Sequence, residues 1–183
     1  RIDKTSRVVS IEEKEGRSGR LAFLELAHEI AVDGNPAIRE RQTLVYREAA
    51  ARDAPLVPPP VREKLFDPTA WDRVQTLAPS EALLFRFSAL TFNTHRIHYD
   101  VPYASEIERY RGPVVHGPLI ATLLLQLAAE VAGPNGLRSF GFSARSPAIA
   151  GDILHLAMRE TDDGMELAAV NDAGSMLTQA HAR

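Results

Sequence analysis

Apolar residues in the first fifty positions are spaced for strands. Val8, Val9 and Ile11 fall within residues 7–15. Leu21, Phe23, Glu25, Ala27 and Glu29 alternate within residues 20–32, and Ile38, Leu44, Val45 and Tyr46 lie within residues 37–47. Alternation with a period of two marks a half-buried strand. Arg17-Ser18-Gly19 and Asp33-Gly34-Asn35 supply the turns between them. Three antiparallel strands in sequence leave one apolar face that needs a cover.

The pattern then breaks. Pro55, Pro58, Pro59, Pro60 and Pro68 fall within residues 49–70, which predicts a connector, partly extended in the polyproline manner. Beyond it, Val74 to Leu77 reads as a short strand. Pro79-Ser80 caps a short helix at residues 81–89, although Leu83-Leu84-Phe85 also suits a strand. A helical turn is expected at residues 104–110. Pro118 stands at the first turn of a longer helix that ends at Gly133-Pro134. Thr122, Gln126 and Glu130 make one narrow polar stripe on this helix, so it is expected to be nearly enclosed. Residues 137–144, 152–161, 165–173 and 176–182 follow as strands, with turns at Asp162-Asp163-Gly164 and Asp172-Ala173-Gly174. A buried helix followed by antiparallel strands predicts a sheet wrapped around a helix, an α+β architecture. The strand layout of residues 1–48 resembles that of the last forty-five, as a duplicated unit without its helix would.

Composition narrows the function. The chain has 183 residues, 24 acids against 21 bases, a net charge of −3 and no cysteine. Disulfides, thiolate nucleophiles and sulfur-ligated metals are excluded. The lysines Lys4, Lys14 and Lys64 do not cluster, which speaks against nucleic acid as a partner. The apolar run Pro118 to Gly133 is too short for a membrane span. A cytoplasmic protein is expected, and the start at Arg1 rather than Met is expected of a piece of a longer chain.

Chemistry concentrates in two places. Asn93-Thr94-His95-Arg96-Ile97-His98-Tyr99-Asp100 packs two of the six histidines into eight residues. Histidine titrates near neutrality and suits acid–base work. The same letters fit a polar loop with solvated histidines, or a metal site for which no third ligand stands at fitting spacing. The second place is His116-Gly117-Pro118. A helix N-terminus leaves N–H groups unpaired at its positive end, Pro118 donates nothing, and glycine lets a ligand approach the backbone. That makes Gly117 N–H a candidate oxyanion donor, and His116 a candidate substrate contact. An ordinary Gly-Pro helix start fits equally. Arg96, Arg109 and Arg111 are candidates for a coenzyme A phosphate, or plain solvated charges. Thr122 is expected to bond back into its own helix.

Residues 85–100, Phe-Arg-Phe-Ser-Ala-Leu-Thr-Phe-Asn-Thr-His-Arg-Ile-His-Tyr-Asp, followed by Val114-Val115-His116-Gly117-Pro118-Leu119, resemble the MaoC-like hot-dog dehydratases. They are most similar to the branch of mesaconyl-CoA hydratases and 3-hydroxyacyl-thioester dehydratases. Residues 13–20 and 45–48 resemble the end of that branch's N-terminal hot-dog half. The resemblance implies an incomplete N-terminal half at residues 1–48, a connector at 49–70, and a catalytic hot-dog at 71–183. It implies that an N-terminal segment, including the first half's helix, is missing from this sequence. It also implies a hydro-lyase that adds water across, or removes it to form, the 2,3 double bond of a coenzyme A or acyl-carrier-protein thioester. No metal or redox cofactor is implied, and a homo-oligomer, expected as a dimer, is.

Against the broader family motif Gly-Asp-x-Asn-Pro-x-His, the catalytic histidine falls on His98, the Asp on Asn93 and the Asn on His95. Asn93 cannot take a proton, so it is expected to position water or substrate. His98 would carry proton transfer, with His95 orienting it or acting as a second acid–base group. The family's helix-start glycine falls on Gly117. The rival activities are a hot-dog acyl thioesterase and a non-catalytic thioester-binding domain.

Overall fold

A computed structural model describes residues 1–16, 19–48, 51, 53–56 and 65–183. The chain divides into two units, Arg1–Ala50 and Ala51–Arg183. The first holds one antiparallel sheet in the order β1-β2-β3, with β1 at Ile2–Gly16, β2 at Gly19–Val32 and β3 at Asn35–Arg47. All three strands exceed the lengths read from the sequence. Polar stretches such as Lys4-Thr5-Ser6 continue in register against Ile30, Glu29 and His28, because a backbone ladder needs no apolar side chain at each rung. Asp33 and Gly34 both take positive φ, 49° and 80°, as a two-residue hairpin turn requires. The expected turn at Arg17-Ser18 lies outside the described residues, as do Pro58, Pro59 and Pro60 of the connector. Pro68–Ala70 forms one 3₁₀ turn, capped by the Asp67 carboxylate on Thr69 N–H at 2.9 Å.

The second unit carries β4 (Arg73–Leu77), α1 (Glu81–Thr91), α2 (Gly117–Ala132), β5 (Phe140–Ala144), β6 (Leu154–Thr161), β7 (Gly164–Asn171) and β8 (Met176–Ala182). Its antiparallel sheet runs β4-β6-β7-β8-β5 and lies against α2. The alternative of a strand at residues 83–85 is settled in favour of helix. Ser80 Oγ accepts Leu83 N–H at 3.2 Å, which starts the helix, and Leu84 and Ser88 share its buried face. β5 begins at Phe140, three residues later than expected, because Arg138 and Ser139 N–H both turn to the Arg183 carbonyl. β6 begins at Leu154, because Asp152 instead pairs with Arg111. Gly164 has φ 132°, and a Cβ there would meet Ala182 O at 2.4 Å, so only glycine fits the β6–β7 turn.

The core is built from Leu119, Leu124 and Leu127 of α2, Leu154, Leu156 and Met158 of β6, Leu167 of β7 and Leu84 of α1. Burying each such side chain stabilises the fold by about 1.5–3 kcal/mol. The expectation that α2 is nearly enclosed needs correction. Thr122, Gln126 and Glu130 are exposed, but so are Pro118, Leu125 and Ala129. The strands cover one side of the helix, which leaves an outer stripe wider than its polar residues mark.

Candidate active site

The site is assembled where α1 ends. Phe92 closes that helix in the left-handed conformation, φ 53° and ψ 30°, which turns the chain out of the helical path. Asn93 Oδ1 then accepts His95 N–H at 3.0 Å, and a 3₁₀ turn at Arg96–His98 follows. Asp100 ends this local knot. Its Oδ1 accepts Tyr103 N–H at 3.0 Å, and its Oδ2 accepts Arg96 Nε–H at 2.9 Å. The Tyr103 N–H and the Arg96 guanidinium hold the Asp100 carboxyl below the usual carboxylate range. The next turn, Tyr103–Ile107, is π-helical.

The segment is fastened to the run before α2. Val114 N–H donates to Ile97 O at 2.8 Å, and Val114 O accepts from Nδ1 of His98 at 2.7 Å. The bond to a carbonyl fixes Nδ1 as the protonated nitrogen, so neutral His98 carries its lone pair on Nε2. His98 is buried, 7% exposed. Burial pushes the imidazole below its ordinary value, the Val114 carbonyl opposes this, and neighbouring His95 lowers it further.

His116 lies flat under His98, with ring centroids 3.6 Å apart and planes 17° apart. Ser88 Oγ bonds its Nε2 at 2.8 Å, and Phe87 meets the ring edge-on at 4.9 Å. The residue is wholly buried, and its Nδ1 has no hydrogen-bond partner among the described residues. Burial, with His98 close by, pushes it down to about 4. A direct substrate contact is expected of His116; its ring has 0% exposure and lies beneath that of His98. Ser88 and Phe87 were missed. The available signal was a serine four residues after Leu84, on the apolar face of α1.

Gly117 opens α2 directly after His116. Its N–H has no partner among the described residues, while Leu119 and Ile120 N–H both turn back to His116 O. A Cβ built on Gly117 would meet nothing within 4 Å, so the space beside this donor is open. The structure sets His95 edge-on to His98 at 5.7 Å, ties Asn93 to the His95 backbone, and stacks His98 on His116, the residue before Gly117. The arginines are tied elsewhere: Arg96 to Asp100 and over the Tyr103 ring, Arg109 to the Ala54 carbonyl, and Arg111 to Asp152. Thr122 Oγ1 donates to Pro118 O at 2.8 Å, back into its own helix. Among the described residues no group of three His, Asp or Glu side chains is arranged to hold a metal ion.

Comparison with known proteins identifies the family. The family model for hydroxyacyl-thioester dehydratase type 2 matches residues 1–150. The chain is 41% identical over 176 residues to the mesaconyl-C(4)-CoA hydratase of Chloroflexus aurantiacus, covering 93% of this chain and 59% of that protein. It is 32% identical over 126 residues to the mitochondrial hydroxyacyl-thioester dehydratase type 2 of Schizosaccharomyces pombe, covering 68% of this chain and 40% of that one. The chain therefore spans about three fifths or less of the length of these relatives. A MaoC-like dehydratase from Phytophthora capsici superposes with a TM-score of 0.72 at 15% identity, over 98% of this chain and 61% of that one. Fold, motif and family match agree: the chain belongs to the hydroxyacyl-thioester dehydratase type 2 family and has the hot-dog fold of the MaoC-like dehydratases.

Proposed function

We propose that the chain carries the catalytic hot-dog of a hydro-lyase that reversibly adds water across the 2,3 double bond of an acyl thioester, with coenzyme A or acyl carrier protein as the carrier. One observation carries this reading. His98 stacks at 3.6 Å on His116, the residue before Gly117, whose N–H has no partner among the described residues. A thioester oxygen on Gly117 N–H leaves the acyl chain running toward His98. Water then adds its oxygen to C3 while Nε2 of His98 takes the water proton. The electron pair of the double bond moves toward the thioester oxygen, where the hydrogen bond and the helix dipole strengthen as charge develops. The imidazolium returns the proton to C2, which closes the balance. Asn93 has its side-chain N–H₂ left to hold the water, and His95 flanks the base.

Thioester hydrolysis is less well supported. It calls for a carboxylate free to activate water, and the carboxylate in this segment, Asp100, is held by Arg96 and Tyr103 N–H. Homodimeric assembly, a cytoplasmic setting and a place in fatty-acid metabolism belong to the same proposal, as do the incomplete N-terminal half at residues 1–48 and the connector at 49–70. Among the described residues no helix is long and apolar enough to cross a membrane.

The test is a panel of enoyl-CoA esters followed for both hydroxyacyl-CoA formation and free coenzyme A release. Hydroxyacyl product without free thiol is expected. Release of free coenzyme A as the main event would replace the hydro-lyase reading with a thioesterase.

A further inference from the structure

The reacting imidazole needs more than the Val114 carbonyl to hold its direction. One hydrogen bond at Nδ1 fixes the tautomer but leaves the ring free to swing about that bond. The stacked His116 ring removes this freedom, because 3.6 Å between centroids at 17° is contact over a whole face. His116 in turn is held from α1 by two neighbours, Ser88 Oγ on Nε2 at 2.8 Å and the Phe87 edge at 4.9 Å. Ser88 is itself buried, 6% exposed, so this hydrogen bond is shielded from water.

We propose that His116, clamped by Ser88 and Phe87, is a positioning residue for His98: a flat floor that aims Nε2 at the substrate and keeps water from the underside of the reacting ring. This rests on the hydro-lyase reading and adds two residues to it. The ionisable groups that meet His98 among the described residues are His95, on its own segment, and His116; α1 brings Ser88 and Phe87 to this stack, and Arg96 and Asp100 are paired with each other. Burial is the main reason His98 is held low. A truncated floor that admits water therefore raises the pH at which His98 takes its proton, because the charged form is no longer desolvated.

The test uses the full chain, with the His98 ring followed by NMR through a pH titration and enoyl-thioester hydration measured as kcat/KM against pH. His116→Ala is expected to move the His98 titration and the acid limb upward together, and to lower kcat/KM by about tenfold or more through lost alignment. Ser88→Ala, which leaves the core volume nearly intact, is expected to move both in the same direction by less. His116→Phe restores a flat, apolar floor, so it is expected to return the His98 titration to its low value and recover part of the lost rate. An unmoved titration and acid limb in both the His116→Ala and Ser88→Ala variants, with only melting temperature changed, would show a merely structural role and overturn the proposal. Should His116→Ala fail to fold, Ser88→Ala and His116→Phe decide the matter. A His98→Ala variant with full activity would instead sink the hydro-lyase assignment, while the ring titration still decides whether His116 positions His98.

Discussion

The side-chain oxygen of Asn93 accepts the backbone N–H of His95 at 3.0 Å. One atom of the amide is therefore spent on shaping the turn, and only its N–H₂ group is left for water or substrate. Asn93→Ala loses both roles and is expected to lower kcat/KM by about 1–3 kcal/mol in transition-state energy. Asn93→Asp keeps the acceptor, so its melting temperature should stay close to that of the parent. Kinetics of Asn93→Ala and thermal melts of both variants side by side check this. An Asn93→Ala protein with parental kcat/KM would make the residue a turn former only.

His98 is expected to be the residue without which turnover collapses. His98→Ala should lose at least about a hundredfold in rate, the scale of general acid–base catalysis, with circular dichroism unchanged. Because burial holds the ring below its ordinary value of about 6.5, the base form persists into mildly acidic solution. The acid limb of kcat/KM should therefore lie below that value. A limb above it would mean that another group governs the rate.

Gly117 gives a cleaner separation of fold from chemistry. Nothing lies within 4 Å of a Cβ built there, so Gly117→Val should fold. On the proposed mechanism the added methyls would occupy the space through which a thioester oxygen reaches the backbone N–H. Losing such a donor costs on the order of 3 kcal/mol in the barrier, and turnover should fall accordingly with His98 still titrating as before. A bound enoyl thioester whose carbonyl points away from Gly117 in a crystal structure would reduce the residue to a helix start.

Stability should depend on pH through the same rings. His116 is held down at about 4 in the folded protein, against about 6.5 when unfolded. Below 6.5 the unfolded chain therefore takes up a proton that the folded chain refuses, and stability falls as pH drops from there toward 4. His98, also lowered, adds in the same direction. The melting temperature should be lower at pH 5 than at pH 7, and His116→Phe should shrink that difference. An equal difference in the variant would assign the acid sensitivity to other groups.

What could be read beforehand follows from which forces are local. The strands of both sheets and the long helix rest on periodicity and turn residues, and the sequence shows these directly. Asp33-Gly34 is an example, with both residues at positive φ. Asn93 and His98 stand in one eight-residue run and Gly117 at a helix start, so the letters alone single them out as candidates. The clamp was not. Ser88 reaches His116 across 28 positions, and neither letter signals the other. The burial of His116 was not legible for the same reason: whether a helix-start histidine turns outward or inward depends on what α1 offers it, and α1 offers the Ser88 hydroxyl and the Phe87 ring. The width of the exposed stripe on α2 was misjudged because Leu125 and Ala129 look like core residues, and only the reach of the sheet decides that they are not.

Val114 holds both Ile97 and His98 through main-chain atoms alone. The geometry of the His98 ring is thereby insulated from drift at that position. Any residue that can take extended backbone and tolerate burial preserves the tie, and proline, which lacks the N–H, removes half of it. Among natural variants, position 114 should wander among aliphatic side chains while the aim of the imidazole stays constant.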